Sequence, residues 1–271
     1  KENVRWIEHI TIFNDTLLDR CIHRLRVMDK ADKRKVNALN KAIMRALSTL
    51  LNQAMEGNLK AEFDRLIAYK AQMTAIDKQN QENEIMASMG GGISYIAPEQ
   101  IKLSFYAKHR YDAEFSALFL DYLHRNMEEH PTQQLISKAD EDERSYADFL
   151  KSDTISEETK KEVERGRGLM KLFSGIHNKV LSSSLFNAAE HYWKLNAPQG
   201  EELKSCYIDW LQFCYALGRE ASIALPIAQR LAELGEAAQA KAMLENLVEF
   251  LTIKGDPDKE LARVKEALGK Y

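Results

Sequence analysis

The chain has 271 residues, of which 45% are hydrophobic and 29% charged, enough apolar content to bury a substantial core without an outside staple. A formal net charge of -3 excludes a uniformly basic nucleic-acid surface, so any electrostatic partner must meet a local patch. The three cysteines, Cys21, Cys206 and Cys214, lack paired-ligand spacing and fit a reducing, cytoplasmic setting better than a disulfide framework.

The opening segment sets Trp6, Ile10, Phe13, Leu17, Cys21, Leu25 and Met28 at steps of three and four, one face of a helix that Asp29 to Asp32 breaks. Val36, Leu39, Ile43, Leu47, Leu50 and Ala54 predict a second helix, stopped by Gly57 and Asn58. A third carries Leu59, Phe63, Leu66, Met73 and Ile76 and turns polar through Asp77 to Glu84. Long helices with such short links are expected to form an antiparallel bundle over residues 1–88.

The first proline is Pro98, and the run from Met86 to it holds the only glycine triplet, which predicts a hinge or mobile loop. A phosphate-cradling loop would need a Lys-Ser/Thr pair and a preceding strand, and neither is present. Glu99 to Glu129 reads as one helix crowded with Phe115, Leu118, Phe119, Leu120, Tyr122 and Leu123, central to a core in the region 99–196. Asp140 to Asp148 is acidic, and Ser156-Glu157-Glu158 starts a helix to Leu195 that is interrupted or closely packed around Gly166, Gly168 and Gly175. Pro98, Pro131, Pro198, Pro226 and Pro257 are all expected at helix ends or starts.

After Asn196 to Gly200 the helices shorten, the first running from Leu203 to Leu217 and ending at Gly218. Ala228, Leu231, Gly235, Ala240, Leu244 and Leu247 then have the offsets of one tetratricopeptide repeat, small residues for close helix approach around a turn glycine. The segment resembles that family, with Ala224 standing where the family has a large aromatic and Pro257 lying later than the repeat's proline. Periodicity and proline placement along the chain predict an all-α protein, and the resemblance implies that its region 201–271 is an array of short tetratricopeptide-like hairpins presenting a surface to peptides or other proteins.

No linear motif carries chemistry. Glu-x-x-His, His-Glu-x-x-His and Cys-x-x-Cys are all absent, so no metal, cofactor or catalytic residue is assigned. His109 with Asp112 and His124 with Glu128 have the spacing of acid/base dyads and equally of surface ion pairs. Glu190-His191-Tyr192-Trp193 reads as a partly buried polar patch, and Cys206 and Cys214 as core filling.

Charge patterning is more informative. Basic residues from Arg20 to Arg45, including Arg24, Arg34 and Lys35, make one end of the first hairpin positive, while Glu128 to Glu158 is acidic. Opposed patches suit docking to other protein subunits, or to a second copy head to tail.

The expected role is therefore a non-catalytic adaptor or accessory subunit in a larger cytoplasmic assembly. Arg24, Arg34 and Lys35 are its docking candidates, and Arg219, Gln229 and Gln239 form a second partner surface. One alternative is nucleic-acid association through the basic hairpin and the aromatic-basic run Lys102 to Tyr111. Another is a helical enzyme whose pocket joins distant groups such as His109 and Glu190. No apolar run reaches the roughly 20 residues of a membrane span, and no signal-peptide core is present. The opening at Lys1 and not at methionine leaves room for a leader or anchor before it.

Overall fold

The structure is a computed structural model, and it describes residues 15–28, 32–82, 97–196, 200–255 and 259–271, with side chains at 15–16, 33, 77–82 and 168–177 left aside. Among the described residues the protein is all-α. Its helices are α1 (Asp15–Val27), α2 (Lys33–Glu56), α3 (Lys60–Glu82), α4 (Pro98–His109), α5 (Asp112–Glu129), α6 (Thr132–Lys151), α7 (Glu157–Asn196), α8 (Glu201–Gly218), α9 (Ala221–Glu233), α10 (Ala237–Lys254) and α11 (Leu261–Leu268). No helix among the described residues is long and apolar enough to cross a membrane. Trp6, Ile10, Phe13, the glycine triplet with its expected hinge, Pro198 and Pro257 lie outside the described residues.

The contacts divide the chain into two compact units, Lys1–His109 and Arg110–Tyr271. In the first, α1 packs on α2, α2 on α3 and α3 on α4. Asp32 starts α2 by accepting the Lys35 N–H on its side chain at 3.4 Å, relieving one of the donors that a helix start leaves unpaired. At the other end Asn58 takes the left-handed conformation (φ 52°), and the Leu59 N–H returns to the Ala54 carbonyl at 2.9 Å. Ile43, Leu47, Phe63, Leu66 and Met73 are fully buried between α2 and α3. Phe105 of α4 stacks on Phe63 with centroids 3.9 Å apart, and the Tyr106 hydroxyl donates to Asp64 at 3.0 Å.

The second unit is less sequential. Beside neighbours in order, α5 packs on α7, α6 on both α8 and α10, and α9 on α11. Its core is dominated by α8, where Tyr207, Trp210, Leu211, Phe213, Cys214 and Tyr215 are buried. The α9–α10 hairpin has Ala228, Leu231, Ala240, Leu244 and Leu247 at 1% exposure or less, and Gly235 at φ 86° makes its turn. The N-terminus of α9 is capped from a distance, since the Ala221 N–H donates to the Glu260 carboxylate at 3.1 Å.

Three expectations need correction. The helix expected from Glu99 to Glu129 is two, because Arg110 adopts φ 59° and Tyr111 leads into a new start with Asp112 and Glu114 in its first turn. Pro226 lies inside α9 and not at a boundary; it is exposed there, so the Ser222 carbonyl that loses its N–H partner can turn to water. Finally, α7 is one helix of 40 residues, about 60 Å long. At Gly166 nothing lies within 4 Å of where a side chain would start, so that glycine marks neither a break nor a close contact. The surroundings of Gly168 and Gly175 are outside the described residues.

A close approach does occur at Gly218. A Cβ there would stand 2.9 Å from Ser182 Oγ and 3.1 Å from Ser182 Cβ. Ser182 is itself fully buried and donates to the Cys214 carbonyl at 2.5 Å, so moving it aside disturbs that bond. Gly218→Ala is expected to lower stability by about 1–3 kcal/mol through overpacking of α7 against α8. Chemical denaturation followed by tryptophan fluorescence measures this, and a neutral result would mean that α7 yields at no cost.

Candidate functional site

Sequence reasoning places the docking candidates on α1 and α2, and there the outward faces are cationic. Arg20 and Arg24 sit one turn apart on the side of α1 opposite its buried Leu18, Ile22 and Leu25. Val27, 65% exposed, lies on the same outward side. On α2, Arg34, Lys41 and Arg45 are exposed at spacings of seven and four. Lys35 is exposed too, but its ammonium is held 2.5 Å from Asp32, whose carboxyl is kept below the usual range chiefly by that hydrogen bond. Arg26 is tied to Gln72 at 3.3 Å.

The second expected surface is not one surface. Arg219 is 4% exposed and turned inward. Its Nη1 donates to Asp140 at 2.6 Å and to the Ile136 carbonyl at 3.3 Å, its Nη2 to Asn246 at 2.8 Å, and its guanidinium lies 3.9 Å from the Phe250 ring centre. The reason is backbone geometry: Arg219 ends α8 in the left-handed conformation (φ 41°), and its cation meets groups of α6 and α10. A residue engaged in this way is not presented to a partner. Gln239 is half-buried and bonded to Gln212 at 2.6 Å and Glu236 at 2.9 Å. Gln229 is exposed and reaches Glu233 at 3.1 Å.

The acidic stretch is thinner than its sequence suggests. Asp140 is consumed by Arg219, and Glu143, 8% exposed, pairs with Arg167 at 3.1 Å, while that guanidinium covers Tyr146 at 3.7 Å. Glu141, Asp142, Asp148, Asp153 and Glu158 remain exposed.

The patch around Glu190 ties three helices together. Arg230 of α9 grips this α7 carboxylate through Nε at 2.9 Å and Nη2 at 2.6 Å, and reaches Glu233 through Nη1 at 2.5 Å. The Tyr207 hydroxyl donates to the same carboxylate, and Trp193 stacks on the Tyr207 ring with centroids 4.5 Å apart. Burial alone would raise the Glu190 pKa, but the bonds from Arg230 and Tyr207 and the charges of Arg230 and Lys194 outweigh it and hold the carboxyl below its ordinary value. Tyr207 is pushed well up, first by burial and then by Glu190. An ionised carboxylate with both oxygens occupied and a phenol held neutral make a clamp across α7, α8 and α9.

The sign of its pH dependence follows. A carboxyl with a depressed folded-state pKa stabilises fully above its unfolded value, and that contribution is lost as pH falls through the folded one. The second unit is expected to lose stability below the ordinary glutamate range, and Glu190→Gln to flatten the dependence there. Denaturation midpoints measured across acid pH check this, and an unchanged slope would assign the acid sensitivity to other groups.

The remaining candidates for chemistry do not converge. His109 ends α4 with Nε2 2.5 Å from the Met55 carbonyl, whereas Asp112 faces His191 at 3.6 Å, so the expected pair engages different partners. His124 is exposed, its ring steeply inclined to that of Trp210 with centroids 6.1 Å apart. Burial pushes the Cys214 thiol up, and it also raises Cys21 against the opposing charge of Arg24. Among the described residues no group of three His, Cys, Asp or Glu is placed to hold a metal ion. No protein-family model, curated protein or solved structure matches the chain.

Proposed function

We propose that the chain is a non-catalytic helical adaptor or accessory subunit that binds other proteins within a larger cytoplasmic assembly. In this reading α1–α3 belong to an N-terminal bundle of long helices and α9–α10 to a tetratricopeptide-like hairpin. The observation that carries the proposal is the exposed cationic side chains of α1 and α2, Arg24 with Val27 on the outward side of α1 and Arg34 on α2. Charge of one sign around an exposed apolar side chain favours oriented docking of an acidic, partly apolar surface. Gln229 offers an exposed polar contact on the hairpin.

Affinity capture of the chain from its native source at low and high salt tests the reading. A protein retained at fixed stoichiometry, and lost from an Arg24→Glu/Arg34→Glu variant, is the expected result. Recovery of nucleic acid alone, released steeply by salt, would replace it with the nucleic-acid alternative.

A further inference from the structure

Two exposed stripes in this chain match in spacing and oppose in charge. On α2, Arg34 and Lys41 are seven residues apart, and on α6 so are Glu141 and Asp148. Seven residues return a helix to nearly the same face about 10.5 Å further along, so each stripe carries two like charges at the same repeat. All four side chains are exposed, and none makes a hydrogen bond or ion pair among the described residues. Their neighbours differ in this respect: Lys35 is paired with Asp32, Asp140 with Arg219, and Glu143 with Arg167.

We propose that the α2 stripe of one molecule docks on the α6 stripe of a second copy of the chain. The inference rests on the reading of the cationic face as a docking surface and names its partner. Lys138, one turn before Glu141 on the exposed side of α6, selects the register. With the helices parallel, Arg34 meets Glu141 and Lys41 meets Asp148, and Lys138 passes beyond the start of α2. With them antiparallel, Lys138 comes to lie beside Arg45, a like-charge contact that opposes the pairing. Each contact joins two different stripes, the α2 stripe of one copy and the α6 stripe of another.

Sedimentation velocity of the purified chain over a concentration series at low and high salt tests this. The expected result is concentration-dependent association at low salt that dissociates as salt rises. Arg34→Glu/Lys41→Glu and Glu141→Lys/Asp148→Lys should each weaken it about tenfold or more, as expected for loss of two exposed pairs and their replacement by repulsion. An equimolar mixture of these two variants restores association, because the reversed stripes pair with each other, a result that general loss of fold would not give. A monomer at every salt concentration, association indifferent to the four charges, or salt-dependent compaction without a mass increase would each overturn the proposal. None of those outcomes touches the adaptor reading, which stands or falls on retention of a different protein.

Discussion

Replacing Arg219 with alanine is expected to lower the unfolding free energy of the unit formed by residues 110–271 by about 3 kcal/mol or more. The side chain is 3% exposed and supplies the partner of Asp140, which is 20% exposed. Deleting the guanidinium leaves that carboxylate without its counter-charge and removes a donor from the Asn246 oxygen, which also accepts from Tyr215 at 2.8 Å. The Phe250 ring loses the cation stacked on it as well. Lysine should not rescue the loss, because one ammonium cannot satisfy acceptors on both α6 and α10 with the geometry of a planar fork. A double-mutant cycle with Asp140→Asn, read by urea unfolding, separates the pair from the rest. Single losses that simply add would show that the two residues are not coupled.

Trp210→Ala should cost as much, about 3–5 kcal/mol. Trp210 is 2% exposed, and its ring meets Phe119 of α5 at 5.2 Å and Tyr192 of α7 at 5.5 Å, both edge to face. Phe119 and Tyr192 also touch each other at 5.3 Å, so the indole completes a three-ring cluster in which α5, α7 and α8 meet. Removing it takes away the ring against which Phe119 of α5 rests. Amide exchange should therefore rise first along Asp112–Glu129, well before α9 and α10 respond. Uniform loss of protection across the unit would mean that α5 has no separate opening step.

Helix identity was written plainly in this chain where periodicity and caps agree, as in α2, with its buried Leu39, Ile43 and Leu47 and its Asp32 start. The α9–α10 hairpin was legible for the same reason, since small residues and Gly235 act locally. The break at Arg110 was hidden because an arginine, and no glycine or proline, takes the left-handed position; the acidic pair Asp112 and Glu114 was the available signal. Charge was the least legible quantity. Nothing near Asp140 or Arg219 in sequence distinguishes them from surface groups, for they lie 79 residues apart and only tertiary packing brings them together. The stripes of α2 and α6 were visible as composition, but which of their charges stay unspent depends on those long-range pairs.

The cap on α9 bears on the order in which the chain can mature. Ala221 opens that helix, yet the oxygen it needs belongs to Glu260, 39 residues further along. During synthesis, α8 and α9 emerge with that corner incomplete, and it closes only after α10 and the turn beyond it have left the ribosome. Residues 15–82 face no such delay, because each helix there packs on the one made just before it. The two units thus differ in when they can finish: one grows as it is made, the other waits for its last turn.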